Sequence, residues 1–269
     1  MNSERSRQLG FAVEIAREAG TVMKSHFMKD MKREFKADHT IVTEVDKKIN
    51  SMVIDAVRRA YPEHNILAEE YSPKAKNSRY TWVCDPIDGT MVYSKGIPMA
   101  VFSLALVENG RAIVGVIHDP FQDRMFSGSA GDGASVNGSR LSVSTDGSLN
   151  GATVGFAAWK NAQRDIRRVY DALIDRGSSV LMLGSIAHMG AFVASGELSA
   201  CIHPARMPYD TAAAKVLVTE AGGLVTSMSG RSLAYDKAIE GAVMSNKLLH
   251  DKLVELVRTI SEPELYHSE

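Results

Sequence analysis

The chain has 269 residues, 45% of them hydrophobic and 23% charged, with 31 Lys+Arg against 32 Asp+Glu for a formal net charge of −1. That composition excludes a disordered polyelectrolyte and gives no global field toward nucleic acid or an anionic membrane, so the expected partners are small molecules: no nucleic acid, no membrane. It is enough chain for one large domain or two intimate halves.

The N-terminal stretch Met1–Arg7 lacks the apolar core of a signal peptide, and no later apolar run reaches membrane-spanning length, which gives a cytoplasmic expectation. Residues 4–29 carry Ala12, Ile15, Ala16, Ala19, Val22, Met23 and Phe27 on one face of an amphipathic helix. Thr43 caps a second helix, striped by Ile49, Met52, Val53, Ala56, Val57 and Ala60 until Tyr61-Pro62 stops it, so Asp46 falls in its first turn. Short β segments follow at Ile66–Ala68, Thr81–Cys84, Ala100–Val107 and Ala112–His118, with tight-turn signals at Asn109-Gly110 and Asn137-Gly138. Residues 1–150 therefore read as an α+β half: two helices, then a mainly antiparallel sheet over about 65–145.

Residues 151–269 alternate in α/β fashion. Strands are expected at Thr153–Ala157, Val180–Leu183, Ala200–His203 and Gly223–Thr226, and helices at Ala162–Arg176, Ile186–Ser195, Asp210–Ala221 and Asn246–Ile260. With no Pro/Gly/Ser-rich linker between them, the halves are expected to pack as one unit. Cys84 and Cys201, the two cysteines, read as thiols of a reduced core, and Trp82 and Trp159 as core residues. The basic run Arg164, Arg167 and Arg168 reads as a solvated helix face, and the scattered histidines lack the spacing of a zinc site.

The most informative stretch is Asp85-Pro86-Ile87-Asp88-Gly89-Thr90. Pro86 fixes its own φ and biases Asp85 toward extended backbone, so both acids can converge on one point with the Ile87 carbonyl between them. Hard oxygen donors of this kind suit Mg²⁺. Glu69-Glu70 ends the first β segment, where ligands are commonly displayed, although solvated turn acids would look the same. Asp210, in Tyr209-Asp210-Thr211-Ala212-Ala213, stands where a helix should begin, and N-capping is its plainer explanation; Asp46 carries the same ambiguity.

Taken in order, Asp46, Glu69-Glu70, D-P-I-D-G-T at 85–90 and Y-D-T-A-A at 209–213, continued by K-V-L-V-T-E-A-G-G at 215–223, resemble the inositol monophosphatase family. Tyr209 stands where that family usually has tryptophan, and Ala68 where glycine is common before the acidic pair. The resemblance implies a layered αβαβα sandwich, a homodimer, and a Mg²⁺-dependent, lithium-sensitive phosphomonoesterase using two or three ions. It implies Glu69, Asp85 and the Ile87 carbonyl as ligands of a first ion, and Asp85, Asp88 and Asp210 as ligands of a second. Glu70 would help hold a third, and Asp46 and Thr90 would polarise the attacking water. The expected reaction is in-line displacement by metal-activated water without a phosphoenzyme, with the backbone N–H groups of Gly89 and Thr90 on the phosphate.

Gly184-Ser185 is similar to the family's pocket-lining segment, and a capping serine accounts for it equally well. His203 replaces a glutamate usual in inositol-specific members and reads either as a strand-end histidine or as a substrate contact. Arg206 nearby suits a second phosphate or a carboxylate. The stretch Lys36–Asp46 also resembles relatives acting on histidinol phosphate and nucleotide bisphosphates. Candidate substrates are therefore an inositol phosphate, histidinol phosphate, fructose 1,6-bisphosphate or adenosine 3',5'-bisphosphate. A regulatory or binding scaffold with secondary catalysis is the alternative of a different class.

Overall fold

The computed structural model describes residues 3–28, 33–35, 41–160, 162, 164–260 and 262–263. Helix α1 (Ser3–His26) leads into a small antiparallel pair, β1 (Arg33–Phe35) and β2 (Ile41–Thr43), and then α2 (Glu44–Ala60). A seven-stranded sheet follows, built from β3 (Asn65–Ala68), β4 (Tyr80–Asp88), β5 (Val101–Glu108), β6 (Arg111–Asp119), β7 (Arg124–Ser129), β8 (Gly133–Val136) and β9 (Ser139–Arg140) in that spatial order. Its pairs are antiparallel except β3 with β4. The two Asn-Gly hairpins behave as expected: Asn109 and Gly110 have φ of 48° and 79°, Asn137 and Gly138 49° and 83°, the pair of positive values that matches the twist of the flanking strands.

The rest of the chain supplies β10 (Thr153–Phe156), β11 (Arg164–Asp165), β12 (Ser179–Leu181), β13 (Ala200–His203), β14 (Leu224–Thr226), β15 (Ala242–Ser245) and β16 (Glu262–Pro263). Five of them form a mixed sheet in the order β12-β10-β13-β15-β14, and β11 pairs with β16. The helices are the short α3 (Thr90–Ser94), then α4 (Arg167–Asp175), α5 (Ile186–Ala194), α6 (Ala212–Glu220) and α7 (Lys247–Ile260).

Strand periodicity shows how the layers stack. Trp82 and Cys84, with Leu104 and Leu106, pack against Ile15, Ile49 and Val53 of α1 and α2. Val83, Ala105 and Val107, on the opposite face, join Met189, Val193, Val216 and Leu217 of α5 and α6. Those two helices also meet Cys201 and Met244 of the second sheet. The far face of that sheet, Val154, Ile202 and Val243, packs on Val169 and Leu173 of α4 and on Leu249 and Leu253 of α7. The result is the αβαβα sandwich, and because both sheets are covered on both faces their central strands read as continuous apolar runs.

Several expectations need correction. The helix expected from Ala162 begins only at Arg167, because Arg164 and Asp165 pair with β16 and the Asp165 carboxylate accepts the Arg167 N–H at 2.9 Å. Arg164 accordingly lies on a strand and not on the expected helix face, while Arg167, paired with Asp165, and Arg168 are exposed on α4 as expected. Trp159 is 46% exposed rather than core, and β15 falls where no strand was expected. Among the described residues, no helix is long and apolar enough to cross a membrane.

Candidate active site

Asp85 and Asp88 converge because β4 is bulged between them. Asp85 pairs with Ser103 and Asp88 with Val101, so three steps along β4 face two along β5. In a regular strand, residues three apart point to opposite faces; one extra residue cancels that offset. Pro86, which has no amide hydrogen for a ladder, sits in this irregular stretch. The Ile87 N–H donates to Asp85 Oδ1 at 3.1 Å, and its carbonyl accepts Thr90 Oγ1 at 2.9 Å.

One carboxylate oxygen each from Asp85, Asp88 and Asp210 lie within 4.8 Å of one another. Asp210 arrives from a 3₁₀ turn, Pro208–Asp210, that precedes α6, so it stands just before the helix and Thr211 takes the N-cap position. Burial first, then the charges of Glu69, Asp88 and Asp210 and a hydrogen bond shared with Glu69, push the Asp85 carboxyl well above the usual range. Asp88 is lifted to about 6 by burial, against the hydrogen bonds it accepts. Two full charges about 5 Å apart repel by about 3 kcal/mol at an effective dielectric near 20. Acceptor-only oxygens gathered at such cost fit a hard divalent cation.

Asp88 also crosses to the other half of the chain. Its Oδ1 accepts the Ile186 N–H at 3.2 Å, and its Oδ2 accepts Ser185 Oγ at 3.1 Å and the Ala187 N–H. These are amides of the first turn of α5, which have no partner inside the helix and favour an anion. Ser185 is the N-cap, its Oγ accepting the His188 N–H at 3.3 Å. Gly89 has φ 96°, and a Cβ there would lie 3.1 Å from Ser185 Cβ and 3.3 Å from the Gly184 carbonyl oxygen. The backbone conformation and the close approach of Gly184-Ser185 both call for glycine.

Asp46 is fully buried in the first turn of α2. Its Oδ2 accepts the Thr43 N–H at 2.9 Å and the Thr43 hydroxyl, forming a capping box, while Oδ1 accepts Thr90 Oγ1 at 3.0 Å. Burial raises its pKa above the usual carboxylate value, opposed by the bonds from Thr43 and Thr90. Thr90 therefore offers one hydroxyl proton to two acceptors, Asp46 Oδ1 and the Ile87 carbonyl.

Glu69 and Glu70 are half-buried, and burial, followed by the charges of Asp210, Glu69, Asp85 and Glu70, raises the Tyr209 phenol. The Glu70 N–H donates to Asn50 Oδ1 at 3.3 Å, a partner that sequence reasoning missed. Of its two readings His203 takes the strand-end one, and the substrate contact is corrected: it ends β13 fully buried, Nδ1 accepts the Ala205 N–H at 3.2 Å, and Nε2 pairs with Thr211 Oγ1 at 3.2 Å. Burial pushes it down to about 3, so the ring is neutral; one nitrogen is engaged by the Ala205 N–H and the other by Thr211, the residue after Asp210, with none left for substrate. Arg206 is exposed on the segment leading to Asp210. Lys36 and Asp38 lie outside the described residues.

The chain matches the inositol monophosphatase family over residues 4–262. It is 33% identical over 263 residues to the fructose-1,6-bisphosphatase/inositol-1-monophosphatase of Thermotoga maritima, covering 95% of this chain and 97% of that one. It is also 33% identical over 229 residues to the Nus factor SuhB of Escherichia coli, covering 82% and 85%. Among solved structures it resembles the Thermotoga maritima IMPase, with TM-score 0.86, 31% identity and coverage of 94% and 97%. The inositol monophosphatase from Anabaena gives TM-score 0.85, 28% identity and coverage of 97% and 99%. This layered fold and these matches define a phosphatase, a hydrolase of phosphoric monoesters. The chain belongs to the inositol monophosphatase family.

Proposed function

We propose that the protein hydrolyses a small phosphate monoester of the inositol monophosphate kind, by in-line attack of water and without a phosphoenzyme. The observation that carries this reading is the convergence of Asp85, Asp88 and Asp210 within 4.8 Å beside the Asp46–Thr90 pair. Glu69, Asp85 and the Ile87 carbonyl would hold one Mg²⁺, Asp85, Asp88 and Asp210 a second, and Glu70 would help with a third. Such ions offset the charge of the ester dianion and make water more acidic.

The chain's own groups do the rest. Thr90 Oγ1 is too weak a base alone, but with its proton directed at Asp46 Oδ1 it accepts a proton from the attacking water as it passes its own to the carboxylate. The water oxygen forms the new P–O bond, the ester P–O bond breaks in line, and the leaving alkoxide is protonated from solvent. The N–H groups of Gly89 and Thr90 orient the phosphate oxygens, with Gly184 and Ser185 forming the adjoining wall.

The double name of the Thermotoga maritima relative supports a broader substrate class that includes sugar bisphosphates. Exposed Arg206 is the group we assign to a second phosphate; histidinol phosphate and adenosine 3',5'-bisphosphate belong to the same test. We also propose a cytoplasmic homodimer, with Met91, Leu181 and Met182, which are 47%, 41% and 57% exposed, as candidate contacts. A second reading, a binding scaffold with secondary catalysis, draws on the relatives named Nus factor SuhB. A panel of these esters assayed with and without Mg²⁺, then with Li⁺, separates the readings. Asp85→Asn should remain folded and lose Mg²⁺-dependent turnover by at least about a hundredfold; turnover near wild type would refute the site, and no phosphate release from any ester would favour the scaffold.

A further inference from the structure

Residues 69–79, which begin with the acidic pair, form no regular secondary structure. Such a segment has to be held in place by bonds to its surroundings before it can present ligands with fixed geometry. One tie is the Glu69 N–H, which donates to the Cys84 carbonyl of β4 at 3.2 Å. Another is local: Ser72 Oγ accepts the Ala68 N–H at 2.9 Å and donates to the Ala68 carbonyl at 3.0 Å, pinching the turn closed. The third comes from α2, where Asn50 Oδ1 accepts the Glu70 N–H at 3.3 Å and Asn50 Nδ2 donates to the Tyr71 carbonyl at 3.0 Å.

Asn50 is 2% exposed and lies four residues after Asp46, one turn further along the same helix face. One stretch of rigid helix therefore meets Thr90 through Asp46 and the acidic turn through Asn50. A primary amide suits the second contact because it offers one acceptor and two donors from the same planar group: the acceptor meets an N–H and the donor meets a carbonyl. Reversing the amide would set donor against donor and acceptor against acceptor, which fixes its orientation.

We propose that Asn50 is a positioning residue for the acid cluster: by bracketing the Glu70–Tyr71 backbone it sets Glu69 and Glu70 relative to Asp85 and to the Asp46–Thr90 pair, and thereby sets the affinity of the site for divalent cations. The inference rests on the reading of these acids as cation ligands. It assigns no contact between Asn50 and ester or ion.

The test uses the full chain with Asn50→Ala and with Asn50→Leu, the latter close to asparagine in volume but unable to hydrogen-bond. Mg²⁺ binding is followed by titration calorimetry, amide exchange across 69–72 by mass spectrometry, and thermal unfolding in EDTA by calorimetry. Both variants should unfold within a few degrees of wild type, exchange the Glu70 amide faster, and bind Mg²⁺ about tenfold more weakly. Half-saturating Mg²⁺ for turnover should rise by the same factor, with KM for the ester at saturating Mg²⁺ unchanged. A folded variant that binds Mg²⁺ as wild type does would overturn the proposal whatever its activity. Wild-type protein that binds Mg²⁺ but releases no phosphate would overturn the hydrolase reading and leave this one standing. Wild-type protein that gives no Mg²⁺ binding at all would overturn both.

Discussion

Stripped of divalent cations, the protein should lose stability as the pH rises through the mildly acidic range, the reverse of ordinary acid denaturation. Asp88 is held at about 6 in the folded chain against 3.8 for a free carboxyl. Between those values the native state binds more protons than the unfolded state, so stability falls as the pH rises through the window and levels off above about 6. The difference corresponds to about 3 kcal/mol from this one group. Asp85 and Asp46 are shifted in the same direction and add to it. For a chain of 269 residues, that magnitude lowers Tm by about 5 °C. Scanning calorimetry in EDTA between about pH 4.5 and 7.5 reads the effect directly. Saturating Mg²⁺, which selects the ionised carboxylates, should abolish or invert the trend, adding about 2.7 kcal/mol at a hundred times its Kd. Asp88→Asn in EDTA should flatten the profile. A wild-type Tm in EDTA that is level or rising from pH 5 to 7, and unchanged in Asp88→Asn, would refute the electrostatic account of the cluster.

Two further substitutions probe the scaffold around that cluster. Gly89→Ala forces a left-handed conformation on alanine and sets a Cβ against Ser185 and the Gly184 carbonyl. It should cost about 2 kcal/mol or more in denaturant unfolding and at least about tenfold in turnover, through displacement of Ser185 from Asp88; unfolding at the wild-type midpoint would contradict the close approach. His203→Leu removes the partners of the Ala205 N–H and the Thr211 hydroxyl and should cost about 1–3 kcal/mol with KM for the ester unchanged. An unaltered midpoint with KM raised tenfold would instead return His203 to the substrate pocket.

How far the amino-acid sequence foretold all this depends on the range of the interactions involved. Thr43 and Asp46 are neighbours on one helix start, so capping rules found both. The Asn-Gly turns are equally local. The D-P-I-D-G-T stretch suggested two converging acids, yet the device that turns both the same way is a bulge defined against β5, and no local pattern reports it. Asp88 as the anion at the start of α5, and Asn50 as the bracket for Glu70, depend on partners distant in sequence. Trp159 misled because a large aromatic carries no statement of its own burial. β15 was missed because a four-residue strand buried on every side shows no alternation to detect. His203 was a substitution whose meaning depended on seeing Thr211 beside it.

The grip of Asp88 on Ser185, Ile186 and Ala187 has a practical corollary for anyone shuffling homologous genes. The junction near Asn150-Gly151 looks like a natural crossover point, since the backbone there passes through a surface turn. Hybrids joined at that point nevertheless inherit one parent's aspartate and the other's helix start, and recombinants will keep their phosphatase activity only where the incoming segment recreates the same three-point handshake.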